Sequence, residues 1–327
     1  MIITKTPFRI SFVGGGSDLE AFYSKHAGAV LSTSINKYMY ISSHKYFEPE
    51  KIRTKYSQTE TVDRVEDLKH NLLRTILQKR KISGGIEISS IADVPAGTGM
   101  GSSSSFTVGV LHNLSAVQNK LASKETLAKE ACEIEIDILK EPIGKQDQYA
   151  AAFGGLNTIE FQPNGHVSVN PLHLSAEGQA EMQEHLMMFY IGNQRSASSI
   201  LAEQKKNISL DDKFNALKQM VGLVPELRDS LVGGDWKNFG DLMHENWMLK
   251  QGLASGIANP LITELYDAAR GAGAMGGKLL GAGGGGFMLF VCDPTKRQKL
   301  TEALSKVRPF DFKMEHEGSK LIYYGDE

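Results

Sequence analysis

The sequence predicts an α+β protein in two domains, with strands and helices segregated within each half rather than strictly alternating. Three observations carry this expectation. Strand-like runs at residues 2–13, 30–42 and 85–90 share the first half with helical periodicity at 61–78, 102–119 and 123–140. The second half strings helical patterns together at 196–206, 211–231, 235–251 and 260–270, and strand patterns at 287–292 and 321–324 close it. The 327 residues, at about 100 to 200 per domain, suit two units, 1–175 and 176–327, divided within the window 170–185.

Taken in order, the first strand runs straight into Gly14-Gly15-Gly16 and then Ser17-Asp18, so it delivers a tight loop. The helix from Ser102 shows an apolar face of Phe106, Val110, Leu114 and Val117. The next helix carries a stripe of Leu127, Ala131, Ile134 and Ile138, widened by Ala128, Cys132 and Leu139. An Ala-rich turn after Tyr149 stops at Gly154-Gly155, residues 162–165 are turn-rich, and 186–191 is an apolar run.

Composition excludes several function classes. With 41% hydrophobic and 23% charged residues the chain can build a core, which rules out a disordered tail protein. Its 36 Lys and Arg nearly cancel 38 Asp and Glu, leaving no basic field to capture nucleic acid or anionic lipid. Cys132 and Cys292 each sit in an apolar stretch and read as reduced, buried thiols, which points to the cytoplasm. No apolar run near the N-terminus looks like a targeting segment, and none approaches the roughly 18 residues needed to span a bilayer. The outlier is glycine, 33 residues that include three dense clusters, where the backbone must turn sharply or approach a ligand.

The first cluster, Gly14–Asp18, reads either as a β-turn with Asp18 capping a helix through Tyr23 or as a ligand loop. The second is the strongest signal: Asp93-Val94-Pro95-Ala96-Gly97-Thr98-Gly99-Met100-Gly101 followed by Ser102, Ser103, Ser104 and Ser105. It follows a strand and opens a helix. Glycine lets backbone N–H groups converge, the helix N-terminus adds partial positive charge, and serine hydroxyls can donate to phosphate or ligate Mg²⁺. Triphosphate is the expected guest, although no Walker loop is present. The third cluster, Gly281 to Gly286, contains Gly-x-Gly-x-x-Gly but leads into a strand, so a dinucleotide fold is excluded; it is either a flexible hairpin or a backbone surface brought near a bound substrate or phosphate.

Two carboxylates complete the set. Glu135 falls inside the buried stripe of its helix, whereas Glu133 and Asp137 point to solvent. A carboxylate facing the core must be paired or bind a metal, so Glu135 is either a Mg²⁺ ligand or half of a buried ion pair. Asp147 stands at a loop-to-helix junction. It is either an N-cap or, beside a phosphate loop and a metal carboxylate, the group that orients or deprotonates an attacking hydroxyl.

Together these segments resemble the GHMP small-molecule kinases. Pro7-Phe8-Arg9, Pro95 to Ser103 with its Gly99-Met100-Gly101-Ser102-Ser103 core, Gly144-Lys145-Gln146-Asp147 and the Gly-rich hairpin occur in the family's order over almost the whole chain. The resemblance implies an N-terminal α+β domain like those of certain ribosomal proteins, a ferredoxin-like C-terminal α+β domain, and ATP in the cleft between them. It implies that Pro95, Gly97, Thr98, Gly99, Met100, Gly101, Ser102, Ser103 and Ser104 bind ATP, and that Ser103 and Glu135 hold Mg²⁺. Asp147 would be the catalytic base and Arg9 would stabilise the transferring phosphoryl group. Asp18, with Gly15, Gly16 and Ser17, would bind sugar hydroxyls, and Gly283 and Gly284 would line the substrate.

Within the family, residues 9–18 look like the heptose phosphate and fucose kinases, residues 144–149 and 191–197 look like the heptose phosphate kinases specifically, and a Glu-His pair typical of galactokinases is missing. The implied substrate is a small sugar phosphate, heptose 7-phosphate, taken on its anomeric hydroxyl for nucleotide-sugar synthesis. Lys145 and Arg195 are then candidates to hold its phosphate. A kinase of an unphosphorylated sugar such as L-fucose, and a non-catalytic sugar and ATP sensor, are the alternatives.

Overall fold

The computed structural model describes residues 1–192 and 197–325. Its strands form two sheets. The first is built on two long partners, β1 (Ile2–Val13) and β2 (Gly28–Lys45), antiparallel along almost their full length. The other edge of β2 is shared. Its first half pairs with β6 (Leu156–Phe161), itself paired with β7 (Val167–Pro171), and its second half with β5 (Ile86–Ala92). β3 (Ile52–Lys55) runs parallel to β5 and forms a hairpin with β4 (Thr59–Val62). The sheet is completed from the far end of the chain. β12 (Met314–Glu315) pairs with β2 between the stretches held by β6 and β5, and β13 (Lys320–Tyr324) pairs with β1.

The second sheet is antiparallel, in the order β11 (Arg308–Pro309), β8 (Leu186–Gly192), β10 (Gly286–Cys292), β9 (Ala274–Leu279). Residues 176–327 therefore contribute to both sheets. Strands and helices are segregated as an α+β fold requires.

The helices cover these sheets. The short α1 (Glu20–Tyr23) sends Tyr23 into the core of the first and Phe22 into that of the second, while around the first lie α2 (Asn71–Lys79), α3 (Ser102–Val117), α4 (Lys124–Cys132) and α5 (Gln146–Phe153). The later helices are α6 (Ala176–His185), α7 (Ala197–Asn207), α8 (Asp211–Gly233), α9 (Trp236–Gln251), α10 (Pro260–Ala272) and α11 (Arg297–Ala303). Ser123 caps α4 by accepting from Thr126 N at 3.1 Å, and Asn259 caps α10 by accepting from Ile262 N at 3.0 Å. One core runs under β1, β2 and α3 and reaches Phe239 and Phe287; a second joins Phe189, Phe290, Trp247 and Tyr266. Both cysteines are buried and free.

Two helical expectations need correction. Residues 61–78 do not form one helix, because β-branched Thr59, Thr61 and Val62 find a strand partner in β3. The Glu60 carboxylate then accepts from the backbone N–H groups of Lys69 and His70, and the helix begins only at Asn71. The stretch 123–140 changes pitch after Cys132: Glu133–Ile138 is a π-helical turn, with Leu139 N donating to Ile134 O at 3.0 Å. The wider turn shifts the phase, so Ile138 is 47% exposed instead of completing the stripe.

Candidate active site

A cleft of about 240 Å³ opens where the three glycine clusters meet. Its lining joins Arg9 and Ser11 of β1, the loop after it, Gly97, Gly99 and Gly101 with Ser102 to Ser104, the start of α5, and the hairpin between β9 and β10. The hairpin rests directly on the phosphate-loop candidate. A Cβ on Gly281, whose φ is +73°, would stand 2.3 Å from the Cα of Gly99, so only glycine permits this approach.

At the centre, Arg9 and Asp147 form a two-pronged ion pair, Nε to Oδ1 and Nη2 to Oδ2 both at 2.8 Å, while Nη1 donates to the carbonyl of Gly99 at 2.6 Å. Asp147 is therefore not an N-cap. It is the second residue of α5, and no side chain caps that helix. Gln146 donates to Asp147 Oδ1 at 3.0 Å and accepts from the Ser11 hydroxyl at 3.1 Å, fixing the carboxylate from its other side.

Asp18 does not cap α1 either. Its carboxylate turns inward and accepts from Gly16 N at 3.0 Å and Gln146 N at 3.2 Å, tying the first glycine loop to α5. The approach is close: a Cβ on Gly144 would lie 2.0 Å from Asp18 Oδ2. Burial, reinforced by the neighbouring Asp147, raises the Asp18 carboxyl above its ordinary range against the pull of the backbone donors.

The helix after the second cluster starts on a left-handed Gly101, φ +74°, with no serine cap. The serines have another partner. Ser103 Oγ donates to Glu135 Oε1 at 2.8 Å, Ser104 Oγ to Oε2 at 2.9 Å, and Gln148 Nε2 to Oε2 at 2.7 Å. Glu135 is 1% exposed, and among the described residues no Lys or Arg pairs with it, so the buried ion-pair alternative is not realised. Burial raises its carboxyl despite donors from Ser103, Gln148 and Ser104. Glu133 faces solvent and pairs with Lys79 at 2.5 Å.

Other expected residues stand apart from the cleft lining. Ser17 bonds both the N–H and the carbonyl of Ala29 at 3.1 Å, locking its loop. Thr98 is buried and donates to Pro95 O at 2.9 Å, and Met100 is core, with its carbonyl accepting from Arg9 N. Pro95 lines a neighbouring groove with Asp93, Tyr56, His70 and Phe106, on the other side of Ser102 and Ser103. Gly284 donates to Ile257 O at 3.1 Å, and a Cβ on Gly283 would stand 2.6 Å from the Cα of Ile257, so both brace the hairpin from behind. Lys145 turns away: its ammonium donates to Gly165 O at 3.0 Å and lies 4.7 Å from the centre of the Tyr23 ring. Arg195 lies outside the described residues.

The cleft also holds residues that motif reading missed. Lys250 of α9 and Lys278 of β9 both line it, and Lys250 Nζ donates to Gly281 O at 2.6 Å. Lys250 follows Trp236, Phe239, Met243 and Trp247 on the buried stripe of α9, the same signal that singled out Glu135. Gln204 of α7 reaches the first glycine loop, its Nε2 2.2 Å from where a Gly16 Cβ would stand.

Residues 68–155 match the model of the GHMP kinase N-terminal domain, and residues 223–309 that of the GHMP kinase C-terminal domain. The chain is 30% identical to D-glycero-alpha-D-manno-heptose 7-phosphate kinase of Campylobacter jejuni over 98% of both chains. It belongs to the GHMP kinases. It is accordingly an ATP-dependent kinase, with ATP as phosphate donor, on the two-domain α+β fold of that family. A bifunctional fucokinase/GDP-fucose pyrophosphorylase of Arabidopsis thaliana is 28% identical over 94% of this chain and 31% of its own. Among solved structures, a D-glycero-D-manno-heptose 1-phosphate kinase from Bacteroides thetaiotaomicron superposes with a TM-score of 0.81 at 25% identity, covering both chains entirely. A putative sugar kinase of Campylobacter jejuni does so at 0.77 and 30% identity, covering 98% of this chain and 97% of its own. Among the described residues no helix is long and apolar enough to cross a membrane.

Proposed function

We propose that this GHMP kinase phosphorylates the anomeric hydroxyl of D-glycero-D-manno-heptose 7-phosphate, giving the 1,7-bisphosphate. The observation that carries the reading is the fixed Arg9–Asp147 pair, set between the phosphate loop and the Asp18 loop. A sugar hydroxyl held against Asp147 is aligned with a phosphoryl group on the loop, and the neighbouring guanidinium offsets charge on the oxygens being transferred. Phosphoryl transfer asks the protein for little covalent chemistry, so positioning of this kind supplies most of the catalysis. The heptose phosphate kinases among its relatives support the sugar class.

Gly97, Gly99 and Gly101, with Ser102 to Ser104 at the start of α3, would take the phosphates, and the groove at Pro95 would take the base. The Glu135 carboxylate, buried among hydroxyls without a cation, fits a hard divalent ion such as Mg²⁺, which needs only one or two carboxylates besides phosphate and water. Ser103 and Glu135 would hold it, and when bound it would neutralise phosphate charge. Asp18, with the backbone of Gly15 and Gly16, would accept from and donate to sugar hydroxyls.

Lys145 is not among these substrate contacts, since its ammonium is engaged at Gly165. That leaves room for the second reading, an unphosphorylated sugar such as L-fucose. ADP release across sugars and sugar phosphates separates the two. Heptose 7-phosphate is expected to give the highest kcat/KM, and Asp147→Ala to lower kcat by about 10² to 10⁴ with ATP affinity largely intact. A preference for the free sugar establishes the second reading instead, and near-normal turnover in Asp147→Ala removes the role given to that residue.

A further inference from the structure

Burying an ammonium without an anion costs several kcal/mol, so a side chain of this kind needs a partner. Lys278 is 1% exposed, sits in the middle of β9 and lines the cleft. Among the described residues no carboxylate or carbonyl meets its Nζ, and the charges that act on it most are two more cations, Lys250 and Arg9. The other two are engaged: Arg9 with Asp147 and Gly99, Lys250 with Gly281 O. The arrangement is rigid. The residue two before Lys278 packs on α9 so closely that a Cβ on Gly276 would stand 1.8 Å from Gly240 O, and the turn beyond Lys278 packs on Gly99. The strand that carries Lys278 and the helix that carries Lys250 are thus locked together, and both are locked to the loop.

We propose that Lys278, flanked by Lys250, is the cation that receives the terminal phosphate of ATP. The inference rests on the reading of the cleft as the nucleotide's phosphate site. It commits to the terminal phosphate because the hairpin at the end of β9 lies against Gly99 of the loop, whereas the Asp18 loop, given to the sugar, meets Lys250 and Gln204. Burial, then repulsion from Lys250 and Arg9, drives the Lys278 ammonium well below the ordinary lysine range. An arriving phosphate reverses both effects, so the site is built for an anion it does not itself contain. Lys250, anchored on Gly281, acts as a positioning residue that keeps the hairpin carbonyl turned away from that anion.

The test is equilibrium binding of ATP and of ADP, each with Mg²⁺ and without sugar, to wild type and Lys278→Met, with thermal unfolding of both ligand-free proteins. Loss of a hydrogen bond to a charged group predicts an ATP affinity lower by about tenfold or more in Lys278→Met, with ADP affinity changed less than about twofold. The ligand-free variant should melt no lower than wild type, since the substitution removes an uncompensated buried amine. An equal loss for ATP and ADP, or an unchanged ATP affinity, overturns the assignment. An unchanged ATP affinity joined to weaker binding of heptose 7-phosphate, measured separately on both proteins, would make the acceptor's phosphate the partner instead. Should wild type itself bind neither nucleotide, the reading of the cleft fails first, and that outcome is distinct from a variant that keeps the wild-type preference for ATP.

Discussion

Glu135→Gln tests whether the buried carboxylate holds a metal or merely ties helices together. The side chain keeps its shape and loses its charge. Of its three donors, Ser103 and Ser104 carry hydroxyls that can turn round and accept, whereas Gln148 Nε2 can only donate. The new amide is therefore expected to keep its oxygen towards Gln148 and Ser104 and to point its NH₂ at Ser103. Three bonds survive without charge assistance, and relief of the carboxylate's desolvation offsets that weakening, so the net change in stability should stay within about 1 to 2 kcal/mol. The corresponding change in Tm is a few degrees. Activity should respond far more. Loss of a metal-holding carboxylate is expected to lower kcat/KM by about 10²-fold and to raise the Mg²⁺ concentration for half-maximal rate at least about tenfold, given that disturbing even the partners of metal ligands costs about 10- to 100-fold. The carboxyl's raised proton affinity sets a sign as well: protons compete with the metal, so the Mg²⁺ requirement should fall as pH rises. The control is Glu133→Gln, which removes an exposed pair with Lys79 and should change neither Tm nor Mg²⁺ dependence. Matching Mg²⁺ titrations for the two variants would refute the reasoning.

Two further perturbations are predicted. Gly281→Ala places a Cβ 2.3 Å from the Gly99 Cα at a left-handed φ, so hairpin and loop must separate; kcat should fall by about tenfold or more and stability by about 1 to 3 kcal/mol, read by turnover and denaturant unfolding. Lys250, lowered by burial and then by Arg9 to about 8 from its ordinary 10.5, should give opposite pH trends in activity and stability. Its ammonium is lost as pH rises through about 8, so kcat/KM should decline there. Between about 8 and 10.5 the unfolded chain keeps a proton the folded one has shed, so stability gains a contribution that rises with pH and is lost as pH falls back through about 8. Lys250→Met should remove that part of the stability slope, and an unaltered slope argues against the shift.

How much of this was legible in the sequence depends on the range of the interactions involved. Local signals read well: β1 and α3 begin where their residues suggest, and the inward phase of Glu135 follows from helical spacing alone. Failures came where a distant partner decides. Thr59–Val62 becomes a strand only because β3 lies beside it. For Asp18 and Asp147 the sequence left capping and a site role open, and the donors of Gln146 and Arg9 decide against capping. Lys278 had no motif to mark it. A lysine within an apolar strand is a signal nonetheless, and the same argument applied to Glu135 would have found it.

The return of β12 and β13 to the first sheet bears on how the chain reaches its native state. Ile2 pairs with Tyr324 and Ile35 with Met314, so a sheet begun by β1 and β2 is completed only by strands about 280 to 320 residues further along the chain. Contacts of such long sequence separation form slowly and only after the intervening chain has been synthesised. Until then the outer edge of β1 has open backbone groups, the kind of edge that recruits other chains. A chain in which β13 has not yet docked therefore carries that open edge, and loss of β13 would make the exposure permanent while leaving the residues of the cleft in place.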